Sequence, residues 1–136
     1  MFRKIVDTNI LYDAWTKNNN TEKALKIINE PICILEGVLY ELSNLLKNTE
    51  GTNYSCQIIS EILNNPSIFQ ILKVGLKEIN EALSIMQKYQ NSEPKKDYSL
   101  VDTLHFVVAK NYNLPVFTTD ERMTYFDAKI KVIKPY

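Results

Sequence analysis

Short apolar runs alternate with longer segments of helical periodicity along this chain, and the alternation limits the possible folds more than any other feature. Five runs are brief, rich in β-branched or aromatic residues and bounded by polar or turn residues, as strands are: residues 2–6, 32–35, 68–74, 114–117 and 130–133. Between them, apolar residues recur three or four positions apart, as in Val38, Leu42 and Leu45. Strands separated by helices predict an α/β fold with a mainly parallel sheet.

The length of 136 residues, 45% of them hydrophobic, suits one domain with a substantial core. We therefore expect a single domain across residues 1–136. No apolar stretch approaches the roughly 20 residues that cross a bilayer, and no signal peptide is evident, so a soluble, cytoplasmic protein is expected. Cys33 and Cys56 lie far from each other and from the only histidine in sequence, which predicts buried, reduced thiols and no zinc site.

Two acids follow predicted strands directly: Asp7 comes after the first, and Asp120 comes shortly after the fourth. Open parallel sheets bind ligands at the carboxyl ends of their strands, above all where neighbouring connections leave to opposite faces. Both acids therefore lie where a binding site is expected. The alternative for each is a helix N-cap, since aspartate is a favoured cap residue.

Two further acids belong to predicted helices. Glu41 stands three residues from Val38 and four from Leu45, on the apolar stripe, where an unpaired carboxylate is costly to bury. We interpret this as a helix face that looks into the site, the alternative being a glutamate at the edge of the stripe. Asp102 follows Ser99 in a pattern typical of a capping box, which is compatible with a second role.

Convergence of these acids would require a counter-ion. Two like charges 4 Å apart repel by about 4 kcal/mol at an effective dielectric constant near 20. Oxygen ligands alone favour hard cations such as Mg²⁺ or Mn²⁺. The sixteen basic and sixteen acidic residues cancel overall, but with four acids in one pocket the remaining surface is basic, so a nucleic-acid partner is not excluded.

The chain resembles the PIN domain family in four segments that together span nearly its whole length. They are residues 7–11 (DTNIL), 38–42 (VLYEL), 99–103 (SLVDT) and 116–120 (VFTTD). The resemblance implies a three-layer α/β/α sandwich with a five-stranded parallel sheet in the order 3-2-1-4-5. It also implies a metal-dependent endoribonuclease, similar in its compact size to the VapC-type toxins of toxin–antitoxin pairs.

The resemblance also suggests roles for individual residues. One or two Mg²⁺ or Mn²⁺ ions would be bound by four carboxylates, those of Asp7, Glu41, Asp102 and Asp120. Asn9 and Thr118 match polar positions that support these carboxylates, and Asp97 is a possible accessory ligand. The ion would activate water for attack on an RNA phosphodiester. The implied partners are RNA, an antitoxin protein and a second copy of the chain.

Other protein classes also carry acids directly after their strands. A haloacid dehalogenase-type phosphatase needs an aspartate where Asn9 stands, and a response-regulator receiver needs one after the third strand, near Val74. A non-catalytic PIN-like module that binds RNA or protein, and a housekeeping RNA-processing nuclease, stay open as alternatives.

We expect His105 on the helix surface without a catalytic role, the alternative being a contact with a substrate phosphate. The aromatic side chains of Tyr12, Trp15 and Tyr40 are expected in core or dimer packing, the alternative being stacking on bases or on a partner helix.

Overall fold

A computed structural model describes residues 3–90, 97–126 and 130–136. Its centre is a five-stranded sheet in the order β3-β2-β1-β4-β5, in which every neighbouring pair is parallel. The strands are β1 (Ile5–Val6), β2 (Ile32–Leu35), β3 (Phe69–Leu72), β4 (Val116–Phe117) and β5 (Val132–Ile133). The strand order and the parallel pairing confirm the fold predicted from the sequence.

Four of the strands are shorter than the apolar runs that predicted them. Leu114 and Ile130 pack against the core but lie outside the hydrogen-bonded ladders, because burial of an apolar side chain does not require strand pairing. Ile68 precedes β3 and its backbone amide instead donates to the Asn65 carbonyl in a turn. Phe2, predicted to begin the first strand, lies outside the described residues.

In the described parts of the chain, six α-helices lie between the strands. They are α1 (Thr8–Trp15), α2 (Thr21–Ile27), α3 (Glu36–Glu50), α4 (Thr52–Leu63), α5 (Leu76–Gln90) and α6 (Leu100–Tyr112). The path from β1 through β2 to β3 runs across the sheet in one direction, and the step from β3 to β4 returns in the other. Since crossovers between parallel strands are right-handed, the two directions place their helices on opposite faces. Consistent with this, α1 to α4 pack among themselves, and α5 packs on α6.

β2 and α6 each contribute a continuous run of buried residues. All four residues of β2 are buried, as expected for a parallel strand covered on both faces. In α6, every residue from 103 to 109 is buried, so this helix is enclosed on nearly all sides. The site residues carried by α6 are therefore held by an extensively packed element.

One sequence prediction about the cysteines is wrong. Both are free thiols, and Cys33 is buried as expected, but Cys56 is exposed. In α4 the buried stripe runs through Ser55, Ile58 and Ile62, and Cys56 is rotated about 100° away from Ser55 around the helix axis. Burial of a thiol is set by this helix phase rather than by residue type alone.

None of the helices in the described ranges combines the length and the apolar character needed to span a membrane.

Candidate active site

Asp7 lies at the point where the connections of two adjacent strands diverge. The pairing of Ile5 with Val116 and of Val6 with Phe117 brings the carboxyl ends of β1 and β4 side by side. Asp7 is buried there and serves as the N-cap of α1, since its Oδ1 accepts from the Thr8 amide at 2.7 Å. The capping alternative is therefore real, but it uses only one carboxylate oxygen.

Thr118 joins Asp7 to Asp120. The Thr118 side chain is fully buried, and its hydroxyl donates to Asp7 Oδ2 at 2.8 Å. The Thr118 hydroxyl oxygen in turn accepts from the Asp120 amide at 3.0 Å. One threonine thus fixes the orientation of the Asp7 carboxylate and the position of the Asp120 backbone. This contact is of the kind that the family resemblance implied for Thr118.

Asp120 is held by its own neighbour. It caps the short 3₁₀ helix Glu121–Tyr125, with Oδ1 accepting from the Arg122 amide at 3.0 Å. The Arg122 guanidinium donates to Oδ1 from Nε at 3.3 Å and to Oδ2 from Nη2 at 3.0 Å. Both carboxylate oxygens of Asp120 therefore already face a cation. Tyr98 fixes the backbone of this segment, because its hydroxyl donates to the Arg122 carbonyl at 2.8 Å.

Glu41 reaches the site from α3. The residue is exposed overall, but its Oε1 accepts from the Thr8 hydroxyl at 3.2 Å. Burial raises the pKa of the Glu41 carboxyl, and the neighbouring charges of Asp7 and Asp102 raise it further. Leu45 is 37% exposed, so Glu41 lies at the edge of the apolar stripe and also faces the other acids.

Asp102 reaches the site from the first turn of α6. Ser99 caps that helix by accepting from the Asp102 amide at 3.1 Å. The Asp102 carboxyl is half-buried, and burial raises its pKa, as does the charge of Asp7. Asp7, Glu41 and Asp102 thus form one electrostatically coupled group, drawn from the end of β1 and from two helices.

The supporting residues proposed from the sequence differ in their surroundings. Asn9 is exposed, and within residues 3–90, 97–126 and 130–136 its side chain makes no hydrogen bond. Asp97 is also exposed, beside a stretch that the structure does not describe. The roles of both as supporting or accessory residues stay predictions.

The prediction that His105 lies on the helix surface is wrong. The residue is fully buried, and its Nε2 lies 3.8 Å from Asp7 Oδ1. The available signal was the run Leu104 to Ala109, in which the histidine is surrounded by apolar residues on every side of the helix. A helix with a single apolar face would leave His105 exposed, whereas α6 is buried on more than one face. Tyr40, assigned to packing, is 62% exposed.

An apolar cleft of about 190 Å³ is lined in part by α3 and α6, the two helices that carry Glu41 and Asp102. Leu35, Gly37, Tyr40, Val101 and Leu104 are among the residues that line it, whereas neither of the two acids does. A ligand bound there would be held mainly by apolar contacts.

The donor set suits a hard divalent cation. In the described part of the chain, no three His, Cys, Asp or Glu side chains are already close enough to share one ion. A bound cation would nevertheless lower the raised pKa values of Glu41 and Asp102, which result mainly from burial and further from the charge of Asp7. Carboxylate oxygens are the ligands that Mg²⁺ and Mn²⁺ prefer.

These pKa shifts predict how the stability of metal-free protein depends on pH. Because the pKa values of Glu41 and Asp102 are higher in the folded than in the unfolded chain, the folded protein binds protons more tightly. Their contribution to the free energy of unfolding should therefore fall as the pH rises above about 4, the ordinary pKa range of these carboxyls. Urea unfolding in EDTA at several pH values measures it. Asp102→Asn should reduce the pH dependence, and an unchanged dependence would contradict this explanation.

The chain matches a known protein family by sequence and a set of solved structures by fold. The family model of the PIN domain matches residues 4–129. No curated protein sequence matches the chain. Among solved structures, 26 chains match. Two of them cover 98% and 100% of this chain.

Three of these structures illustrate the likeness. A toxin–antitoxin complex from Klebsiella pneumoniae has a TM-score of 0.69 and 19% identity, covering 98% of each chain. VapC20 of Mycobacterium tuberculosis, a sarcin–ricin loop cleaving toxin, has a TM-score of 0.70 and 18% identity over 91% of this chain and 96% of that one. DNA-bound VapBC from Salmonella typhimurium has a TM-score of 0.74 and 14% identity over the full length of both. At these identities the likeness shows a shared fold.

Proposed function

Because this chain belongs to the PIN domain family, we propose that it is a metal-dependent endoribonuclease that hydrolyses RNA phosphodiester bonds. One observation carries the proposal: at the divergence of β1 and β4, Thr8 hydrogen-bonds to both Asp7 and Glu41, and burial together with the charge of Asp7 raises the pKa of Glu41 and of Asp102. Side chains that only cap helices would not require this arrangement.

Asp7, Glu41, Asp102 and Asp120 would hold one or two Mg²⁺ or Mn²⁺ ions. When bound, such an ion supplies a nucleophilic water at neutral pH and stabilises negative charge on the phosphate. Thr118 and Thr8 orient the carboxylates of Asp7 and Glu41 through their hydroxyl groups. Ser99 fixes the first turn of α6 and with it the position of Asp102.

Arg122 contributes a second cation to the same region. Its side chain is 60% exposed, so little besides Asp120 restrains the guanidinium. An arginine fork matches phosphate as well as carboxylate, because both offer two oxygens in one plane. In the working enzyme, Arg122 would leave Asp120 to the metal ion and bind an RNA phosphate.

Substitution of Arg122 provides a test of this competition. Arg122→Gln should tighten Mn²⁺ binding by up to about fivefold, because a weak, exposed ion pair no longer occupies Asp120. Isothermal titration of EDTA-treated, dialysed protein with Mn²⁺ measures the affinity, and Arg122→Lys is the matched variant that keeps the charge. Weaker Mn²⁺ binding by Arg122→Gln would contradict the competition.

The nuclease function is tested with purified protein and single-stranded RNA. Cleavage should appear with Mg²⁺ or Mn²⁺, stop with EDTA and return when the ion is restored. Ion-dependent cleavage would exclude a module that only binds RNA or protein. Binding of RNA without cleavage under every ion condition would favour that module instead.

We further propose that the protein is a cytoplasmic, homodimeric toxin of a toxin–antitoxin pair. The compact chain and its structural likeness to proteins solved as toxin–antitoxin or VapBC complexes support this role. The apolar cleft lined in part by α3 and α6 is a suitable place for an antitoxin segment, which would then lie on the two helices that carry Glu41 and Asp102.

Expression alone should test the toxin role. Induction of the wild-type chain in a bacterial host should arrest growth, because uncontrolled RNA cleavage stops translation. Asp7→Asn, expressed to the same level, should not arrest growth. Normal growth with an amount of protein shown to cleave RNA in the lysate would instead favour a housekeeping RNA-processing nuclease. Growth curves with parallel immunoblots give the comparison.

A further inference from the structure

His105 is the only histidine of the chain, and only one of its two ring nitrogens makes a hydrogen bond. His105 Nδ1 lies 2.9 Å from the Val101 carbonyl oxygen, one turn earlier in α6. Since a carbonyl oxygen can only accept, Nδ1 must carry a proton for this contact to be a hydrogen bond. In the neutral ring, Nε2 then has a free lone pair.

Nε2 has no hydrogen-bond partner although the side chain is fully buried. Across residues 3–90, 97–126 and 130–136, no other buried side-chain nitrogen or oxygen is left in this condition. A buried polar atom without a partner costs about 1–3 kcal/mol, so its presence calls for an explanation. The atom faces the Asp7 carboxylate, with 3.8 Å between Nε2 and Oδ1.

Two electron-pair donors that face each other at this distance suit a shared cation. Bonds from nitrogen or oxygen ligands to a small divalent ion are about 2.1 Å long. Because 3.8 Å is less than twice that length, one ion can contact both Nε2 and Oδ1. The hydrogen bond from Nδ1 to a backbone carbonyl is a common way in which proteins orient a metal-binding histidine.

We propose that His105 Nε2 is a ligand of the catalytic ion, together with Asp7 Oδ1, so that the site is a mixed nitrogen and oxygen site. The inference rests on the proposed metal-dependent function and extends it by one residue. Imidazole suits transition metals better than Mg²⁺, which prefers oxygen ligands in octahedral geometry. The site should therefore favour Mn²⁺ over Mg²⁺.

A structural role is the competing explanation. If the ring is doubly protonated, His105 forms a buried ion pair with Asp7 and has no lone pair for an ion. The two explanations differ in one observable quantity: whether a histidine nitrogen is bonded directly to the bound metal ion.

Pulsed electron paramagnetic resonance of the Mn²⁺-loaded wild-type protein measures that bond. We expect ¹⁴N modulation from a coordinated imidazole, replaced by the ¹⁵N pattern when the protein is made with ¹⁵N-histidine. The chain has one histidine, so the assignment is unambiguous. Bound Mn²⁺ without histidine nitrogen coupling would overturn the inference and leave the proposed nuclease function intact. Failure of the wild-type protein to bind Mn²⁺ would overturn the inference, and failure to bind Mg²⁺ as well would overturn the proposed nuclease function too.

A variant adds an affinity measurement. His105→Phe keeps a ring in the core and removes both nitrogens, and it should weaken Mn²⁺ binding at least about tenfold. Mg²⁺ binding should weaken less, so the preference for Mn²⁺ falls. Tyr112→Phe, on the exposed end of the same helix, is the control and should bind both ions as the wild type does. Equal weakening for the two ions, with circular dichroism showing a folded variant, would contradict nitrogen ligation. If the variant does not fold, the labelled wild-type protein decides alone.

Discussion

Asp7→Asn should lower the rate of RNA cleavage by about 10³-fold or more while the protein stays folded. The substitution keeps the shape of the side chain but removes the charge that would hold the metal ion. Loss of about 4 kcal/mol of transition-state stabilisation by the ion corresponds to this factor. Initial rates on a fluorescent RNA under single-turnover conditions, with Mn²⁺ present, measure the effect.

Retention of the fold follows from the contacts of Asp7. An asparagine at this position can still accept from the Thr8 amide through its one carbonyl oxygen, and it relieves the repulsion felt by Glu41 and Asp102, but its amide group cannot accept from the Thr118 hydroxyl. We expect the free energy of unfolding in EDTA to change by no more than about 1–2 kcal/mol.

The matched control for this substitution is Asp13→Asn. Asp13 lies on the same helix, accepts from the Tyr136 hydroxyl at 2.7 Å and is not part of the proposed site. The Asp13→Asn variant should cleave RNA at the wild-type rate. A folded Asp7→Asn protein that cleaves RNA at the wild-type rate would contradict the assigned role of Asp7.

Phe106→Ala should produce the largest loss of stability, about 3–5 kcal/mol in the free energy of unfolding. The Phe106 ring is fully buried in α6, stacks on Phe126 with centroids 3.7 Å apart and meets Tyr98 edge-on at 5.0 Å. Removal of the ring leaves a cavity between α6 and the segment that carries Asp120. Since native domains are stable by only about 5–15 kcal/mol, this is a large fraction of the total.

Equilibrium unfolding in urea, followed by far-ultraviolet circular dichroism, measures this loss. Leu76→Ala is the control: it also removes a large apolar side chain, but Leu76 is 80% exposed, so the expected change is within about 0.5 kcal/mol. A cost for Phe106→Ala no larger than that of Leu76→Ala would show that the aromatic cluster does not stabilise this face of the sheet.

The fold was predictable because its signals are local. Short β-branched runs and helical periodicity are written in neighbouring residues, and the positions of Asp7 and Asp120 followed from the rule that parallel sheets bind ligands at the carboxyl ends of their strands. The pairing of β1 with β4 then brought Asp7 and Thr118 together, although 111 residues separate them in sequence.

The parts that the sequence did not predict depend on three-dimensional packing. His105 is buried because α6 is enclosed on nearly all sides, whereas helical periodicity describes only one apolar face. The pairing of Arg122 with Asp120 depends on a 3₁₀ turn that no sequence pattern indicated. Glu41 lies at the edge of its stripe because the stripe follows Val38, Leu42 and Leu46, with Leu45 turned toward solvent.

The chemistry of the RNA ends tests the central proposal of metal-dependent hydrolysis most directly. RNA would be incubated with wild-type protein in EDTA, then with Mn²⁺ restored in ¹⁸O-labelled water, and the products analysed by mass spectrometry at early times. We predict no products in EDTA, and with Mn²⁺ products whose terminal monophosphates carry one solvent oxygen. Cleavage that continues in EDTA, or initial products that end in 2′,3′-cyclic phosphate, would show attack by the ribose hydroxyl and contradict a water nucleophile activated by a metal ion.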